Sequence, residues 1–164
     1  MKTVVVYDSV FGNTEKIARA IGAALGPGED VPVIKVGDVS LAELAGVSLL
    51  IVGSPTRGFQ PTPALTDFLK SIPPGNLKDV KAAAFDTRIP NETINSPILR
   101  ALVRFGGYAA DPIAKALGQK GATLVAPPEG FLVKDREGPL EDGEIERAAG
   151  WARRILAIVQ PASK

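Results

Sequence analysis

Five short apolar runs, each leading towards a segment with apolar residues at helical spacing, constrain this chain more than any other feature. The runs are Val4 to Tyr7, Val31 to Val36, Ser48 to Gly53, Val80 to Phe85 and Ala122 to Val125, the last resuming around Gly130 to Val133. Apolar residues at consecutive positions, rather than alternate ones, read as strands buried on both faces. Between them, Ile17, Ala18, Ile21, Ala24 and Leu25 form one helical stripe, and Ala64, Leu65, Phe68, Leu69 and Ile72 form another. Ile113, Ala116 and Leu117 form a third, and Ile145, Ala148, Ala149, Ala152, Ile155 and Leu156 form the last. Leu41 to Leu44 reads as a short helix. Gly26-Pro27-Gly28 stops the first long one, and Thr62 caps the helix that Pro63 starts. Strands alternating with helices predict an α/β domain of three layers, a doubly wound five-stranded parallel sheet covered on both faces. The stretch from Thr87 to Ala110 departs from this rhythm. Ser96-Pro97 is expected to open an extra short helix there, ended by Gly106-Gly107, and connections of that length are more often functional than idle.

The 164 residues read as a single domain, 1–164. A chain of this size buries about 70% of its unfolded surface and needs no crosslinks. It contains no Cys and no His. Disulfides, thiolate and imidazole metal sites, Cys nucleophiles and Ser-His triads are thereby excluded. Chemistry here must use carboxylates, hydroxyls, Arg, Lys and backbone, or be carried by a cofactor. The 19 Lys and Arg against 18 Asp and Glu give no basic excess of the kind a nucleic-acid surface needs. The amino-terminal apolar run is too short for a signal peptide, and Val47 to Val52 is far short of a membrane span. The expectation is a soluble, cytoplasmic protein with neither membrane nor nucleic acid as partner.

Three loops are expected to meet at the carboxyl edge of the sheet, where open parallel sheets bind ligands. The first, Ser9-Val10-Phe11-Gly12-Asn13-Thr14, joins the first strand to the first helix. A helix N-terminus there offers unsatisfied N–H groups and partial positive charge, Ser9, Asn13 and Thr14 add donors, and Gly12 lets backbone approach an anion. The competing reading is an ordinary capped helix start, with Asp8 as a turn cap. The second loop is Ser54-Pro55-Thr56-Arg57-Gly58-Phe59-Gln60-Pro61, and the third is Asp86-Thr87-Arg88-Ile89-Pro90. One loop would hold a phosphate while the other two clamp a flat group.

The stretch V-V-Y-x-S-x-x-G-N-T-x-x-x-A-x-x-I resembles the phosphate loop of flavodoxins. Gly53-Ser54-Pro55-Thr56, with Pro61 and Phe68-Leu69 downstream, is similar to that family's first flavin-flanking loop. Phe85-Asp86-Thr87-Arg88 resembles the second such loop of a short-chain branch, and Glu137-Gly138-Pro139-Leu140 with Asp142 to Ala148 resembles the approach to its last helix. The likeness runs in order through nearly the whole chain. It implies strand order 2-1-3-4-5, non-covalent FMN and electron transfer without a catalytic residue of the protein's own. The implied FMN-binding set is Ser9, Val10, Phe11, Gly12, Asn13, Thr14, Pro55, Thr56, Arg57, Gly58, Phe59, Asp86, Thr87 and Arg88, with no metal. The implied partners are redox proteins, a reductase and an acceptor, and the expected assembly is a monomer or weak dimer.

Two departures bear on the flavin. Phe11 stands where many flavodoxins have a second hydroxyl. Arg57 stands where an aromatic residue commonly stacks on the flavin, with Phe59 or Tyr108 as possible substitutes. Arg57 and Arg88 near the ring would favour an anionic reduced flavin and make its second one-electron potential less negative. Gly58 has the conformational freedom for the peptide flip that the family uses towards reduced flavin. Trp151, on the last helix, is expected to be core packing. A flavodoxin-like NAD(P)H:quinone reductase and a flavin-free or receiver-like regulatory module remain as alternatives. A receiver lacks its phosphoacceptor, because Ser54 ends the third strand. No dinucleotide fingerprint, NTPase loop or nucleophile elbow is present.

Overall fold

The computed structural model describes residues 1–26, 31–90, 96–98 and 107–160. Its elements are β1 (Thr3–Tyr7), α1 (Asn13–Leu25), β2 (Val33–Lys35), β3 (Leu49–Pro55), α2 (Pro63–Ser71), β4 (Lys81–Arg88), α3 (Ala110–Gln119), β5 (Thr123–Leu124), β6 (Glu129–Leu132) and α4 (Glu144–Val159). The strands pair in parallel in the order β2-β1-β3-β4-β5, as expected, and β6 also pairs with β4. β5 and β6 together are the interrupted fifth strand of the sequence pattern. β5 lies beside Lys81 and Ala82, whereas β6 lies beside Phe85 to Arg88. Pro127 and Pro128, between them, have no N–H to give a ladder.

Both sheet faces are buried, which explains the uninterrupted apolar runs. Val4, Val6, Leu50, Val52, Ala82 and Ala84 face a core shared with Leu65, Phe68, Leu69, Ile72, Ile113 and Leu117 from α2 and α3. Val5, Tyr7, Leu49, Ile51, Ala83 and Phe85 face the other core, shared with Ile17, Ile21, Trp151, Ala152 and Ile155 from α1 and α4. Successive residues thus alternate between two cores, following the two-residue period of a strand.

Trp151 is core packing. Its ring meets Phe85 and Phe131 edge to face, at centroid separations of 6.2 and 5.9 Å. Each such pair adds about 0.5–1.5 kcal/mol beyond its buried area. Gly53 makes room for this cluster, since a Cβ there would lie 2.1 Å from the Phe85 ring.

One element is shorter than the sequence pattern suggests, and one has the expected bounds but a tighter winding. Only Val33–Lys35 of the Val31 to Val36 run forms a strand, at the sheet edge, where pairing with β1 alone supports it. Leu41–Leu44 is a 3-10 turn with a Ser40–Glu43 capping box. The expected helix from Ser96-Pro97 to Gly106-Gly107 falls mostly outside the described residues, as does the Pro27-Gly28 part of the first helix stop. Among the described residues no helix is long and apolar enough to cross a membrane.

Candidate functional site

The strand order fixes where a ligand can sit. From β1 the chain moves outward to β2 and then returns to the opposite side as β3, so the loops leaving β1 and β3 part and leave a crevice at their carboxyl ends. A cleft of about 250 Å3 opens there.

The first loop turns sharply through Gly12, at φ 92°, into α1. Ser9 Oγ accepts hydrogen bonds from the N–H groups of Gly12 and Glu15, at 3.1 and 3.4 Å. Asp8 faces away from the cleft: its carboxylate accepts from Ser9 N–H and from the Thr62 hydroxyl. Thr62 in turn caps α2 by accepting from Leu65 N–H, so Asp8 fastens the turn to the next helix.

These contacts satisfy the turn but leave its inner donors open. Among the described residues, the N–H groups of Val10, Phe11, Asn13 and Thr14 have no protein acceptor. Asn13 and Thr14 are buried, with 8% and 1% of their surface exposed. An unsatisfied buried donor costs about 1–3 kcal/mol, and a hydrogen bond to a charged acceptor recovers about 1.5–3 kcal/mol. The turn therefore suits an anion with several oxygens. Val10 and Phe11 stand at its mouth, 50% and 43% exposed.

The second loop leaves β3 at Pro55 and closes as a hairpin in which Arg57 and Gln60 exchange backbone hydrogen bonds of 2.8 and 3.0 Å. Gly58 and Phe59 fill its two central positions with φ of 53° and 70°, the positive pair of a type I′ turn. Positive φ suits Gly58 and strains Phe59. Arg57 is exposed, and its guanidinium lies 5.7 Å from the centre of the Phe11 ring, bridging the rims of the first and second loops. Thr56 Oγ1 accepts from Ala109 N–H at 3.0 Å.

The third loop extends β4. Asp86 is fully buried, and Arg88 grips it with two hydrogen bonds of 2.7 Å from Nε and Nη2. Ala110 N–H, at the start of α3, donates to the same carboxylate at 2.9 Å. Burial pushes the Asp86 carboxyl above its ordinary value, against the pull of Arg88 and that N–H. The Arg88 guanidinium also stacks on Tyr108, 3.6 Å from the ring centre. It lies over Gly130, where a Cβ would come within 2.1 Å of Nε. Its charge is thus neutralised by Asp86, which removes Arg88 from the expected pair of flavin-tuning cations. Thr87 turns the other way, its hydroxyl 2.7 Å from that of Thr14.

The cleft is lined by Val10, Phe11, Asn13 and Thr14 from the first loop, Pro55, Thr56, Arg57 and Gly58 from the second, and Thr87 and Arg88 from the third. Ser9, Gly12, Phe59 and Asp86 do not line it. Ser9, Gly12 and Asp86 hold the loops in shape, and Phe59 sits in the hairpin turn. Ile89, from the third loop but outside the expected FMN-binding set, also lines it, and sequence reasoning missed Val133 and Arg136, which complete the lining. Val133 and Arg136 belong to a fourth loop, tied to the first by the Asn13 side-chain N–H bond to Glu137 O at 3.1 Å. No sequence signal marks this loop: it is the missing Cβ of Gly138, at φ 101°, that leaves the space Asn13 occupies. Among the described residues no cluster of His, Cys, Asp or Glu is placed to hold a metal.

The anchor of the fourth loop is also ionic. Glu144, the first residue of α4, accepts from Leu132 N–H at 2.7 Å and from Arg147 Nε and Nη2 at 2.8 and 2.7 Å. Arg147 also bonds Glu129 and the carbonyl of Gly130. Burial raises the Glu144 carboxyl, but Arg147 and the Leu132 N–H together outweigh it and hold the group below its ordinary value.

Taken with the sheet order, these loops define a doubly wound α/β protein with a cleft, bordered by unpaired N–H groups of the described residues, at its topological switch point. No protein-family model matches the sequence. Solved structures do. A flavodoxin from the domain Archaea is 28% identical, with a TM-score of 0.73 over 98% of this chain and 99% of that one. Oxidised flavodoxin 1 from Bacillus cereus is 20% identical, with a TM-score of 0.72 over 99% and 100%. Rubredoxin oxygen:oxidoreductase from Desulfovibrio gigas aligns over 98% of this chain but 37% of its own, at 22% identity and a TM-score of 0.70. The chain is flavodoxin-like along nearly its whole length.

Proposed function

We propose that this protein is a small electron carrier that binds FMN non-covalently in the cleft, with the FMN phosphate at the N-terminus of α1. The observation that carries the reading is the set of N–H groups from Val10, Phe11, Asn13 and Thr14, buried or at the cleft mouth and without acceptors among the described residues. They match a phosphate group in number and charge and need no lysine. FMN, when bound, supplies the one- and two-electron chemistry that a chain without Cys or His lacks.

The protein's own residues position the group. Thr14 and the open N–H groups receive the phosphate. Pro55 to Gly58 and Thr87 to Ile89 form the walls, held side by side because Pro55 and Thr87 are register partners in adjacent strands. Arg57 and Arg136 place positive charge at the rim. A reductase and an acceptor protein, both cytoplasmic, are the partners this reading requires, and a monomer or weak dimer is the assembly it expects.

An absorbance spectrum of the purified protein, with and without added FMN, tests the reading. Flavin bands that stay with the protein through gel filtration support it, whereas a protein that remains colourless with FMN refutes it. Steady-state NAD(P)H oxidation with a quinone separates carrier from reductase. The carrier reading expects turnover only when a separate reductase is added.

A further inference from the structure

Thr14 and Thr87 come from distant parts of the chain, the first turn of α1 and the end of β4. Their hydroxyl oxygens are 2.7 Å apart, and the residues are only 1% and 5% exposed. Each hydroxyl has one proton to donate and lone pairs to accept. One proton therefore lies between the two oxygens, and the other is left over.

The two possible arrangements differ in what they offer the cleft. If Thr14 donates to Thr87, the Thr14 oxygen shows only lone pairs to the space above the helix N-terminus and gives an anion there no donor. If Thr87 donates to Thr14, the Thr14 proton is free to point into that space beside its own open N–H. Only the second arrangement adds the Thr14 hydroxyl to the N–H donors that face an anion there. Thr87 is well held for the task. Its carbonyl accepts from Thr56 N–H at 3.0 Å, and its backbone lies in register with both Pro55 and Phe131. Its β-branched side chain has few rotamers in a strand. Without that hydroxyl, the Thr14 hydroxyl would be free to turn back towards a carbonyl of the preceding turn, as Thr does in helices.

We infer that Thr87 is a positioning residue for the phosphate turn. Its hydroxyl holds the Thr14 hydroxyl as a donor and so sets the preference for phosphorylated over unphosphorylated flavin. The inference rests on the reading of the cleft as a flavin-phosphate site, and it assigns part of the phosphate specificity to a loop outside the phosphate turn.

The test compares wild type with Thr87→Val and Thr87→Ser, using FMN, riboflavin and inorganic phosphate as separate ligands. Flavin binding is read by fluorescence quenching, and phosphate binding by the shift in thermal unfolding. In Thr87→Val, FMN affinity falls about tenfold or more, the scale of one hydrogen bond to a charged group. Riboflavin affinity stays within about twofold, the phosphate-induced shift shrinks, and Thr87→Ser restores FMN affinity and the phosphate shift towards wild type. Equal losses for FMN and riboflavin, or an unchanged ratio, would overturn the inference, as would a Ser variant that behaves like Val. If wild type takes up no flavin, the functional reading fails, and phosphate alone still decides the inference. A wild type that ignores phosphate, or a Val variant that matches wild type, overturns it. A Val variant with a weakened phosphate response sustains it.

Discussion

Arg88→Leu is a demanding test of how the cleft is held together. In the native protein Asp86 is fully buried and accepts three hydrogen bonds, two from Arg88 and one from Ala110 N–H. The substitution removes two donors and the only countercharge in contact with the carboxylate among the described residues. Taking one partner from a buried ion pair costs about 3–5 kcal/mol, because the remaining charge is left desolvated. Loss of the Tyr108 stack adds to this.

The cost must also depend on pH, with a definite sign. Burial already raises the Asp86 carboxyl above 3.8, its ordinary value, while Arg88 and the Ala110 N–H restrain it. Without Arg88 the folded-state pKa rises further. A carboxyl raised in the folded state binds its proton more tightly there than in the unfolded chain. Folding is therefore favoured as pH falls through the raised value, and stability is lost as pH climbs past it.

Urea unfolding of wild type and Arg88→Leu, without added flavin, at about pH 7.5 and about pH 5, reads both effects. The expected loss is about 3–5 kcal/mol at the higher pH and clearly smaller at the lower one. A loss below about 1 kcal/mol at the higher pH, or one identical at both, would refute the reasoning. If the single variant does not fold, the paired change Asp86→Leu with Arg88→Leu keeps the test open. Removing both charges is expected to regain most of the stability, as buried pairs replaced by apolar residues do.

Other parts of the structure give further expectations. Gly138→Ala places a Cβ 2.6 Å from the Asn13 side chain at a φ of 101°. It should lower stability by about 1–2 kcal/mol and weaken FMN binding, both measurable by denaturant titration and fluorescence. Glu144 is held below 4.5, so its contribution is complete above that pH and is lost as pH falls through its folded value. Glu144→Gln should cost about 1–3 kcal/mol near neutrality and flatten the acid limb of the stability profile; an unchanged limb would contradict the assignment. With Arg88 neutralised, Arg57 is the cation expected to tune the flavin from the second loop. Arg57→Ala should make the second one-electron potential more negative by roughly tens of millivolts, the equivalent of about 1 kcal/mol for an exposed charge. An unchanged or higher value in spectroelectrochemical titration would sink the idea.

The layers were legible because buried parallel strands carry apolar residues on both faces, as Leu49 to Val52 does, whereas the strand order came only with the resemblance to flavodoxins. The limits of β2 were not, because an edge strand depends on its single neighbour more than on its own residues. The three main loops of the cleft were legible because each continues a strand that could be located. The fourth was not. Arg136 and Glu137 follow no strand end that the pattern located as a loop of the site, and only the three-dimensional contact of Asn13 with Glu137 and Gly138 places them there. From sequence, Glu144 is one of several acidic residues near the start of the last helix, which the helix dipole favours. Glu144 instead has a specific buried role, set by Leu132 and Arg147. Direction was the other thing the sequence did not hold. Arg88 lines the cleft but spends its charge on Asp86, two residues before it.

The central claim is that the open N–H groups at the start of α1 exist to receive the phosphate of FMN. The direct measurement is an absorbance titration of the flavin-free protein with FMN and, separately, with riboflavin. The account predicts stoichiometric uptake of FMN with perturbed flavin bands and markedly weaker uptake of riboflavin. Equal affinity for the two flavins would contradict the claim about the phosphate, and no uptake of either would contradict the function itself.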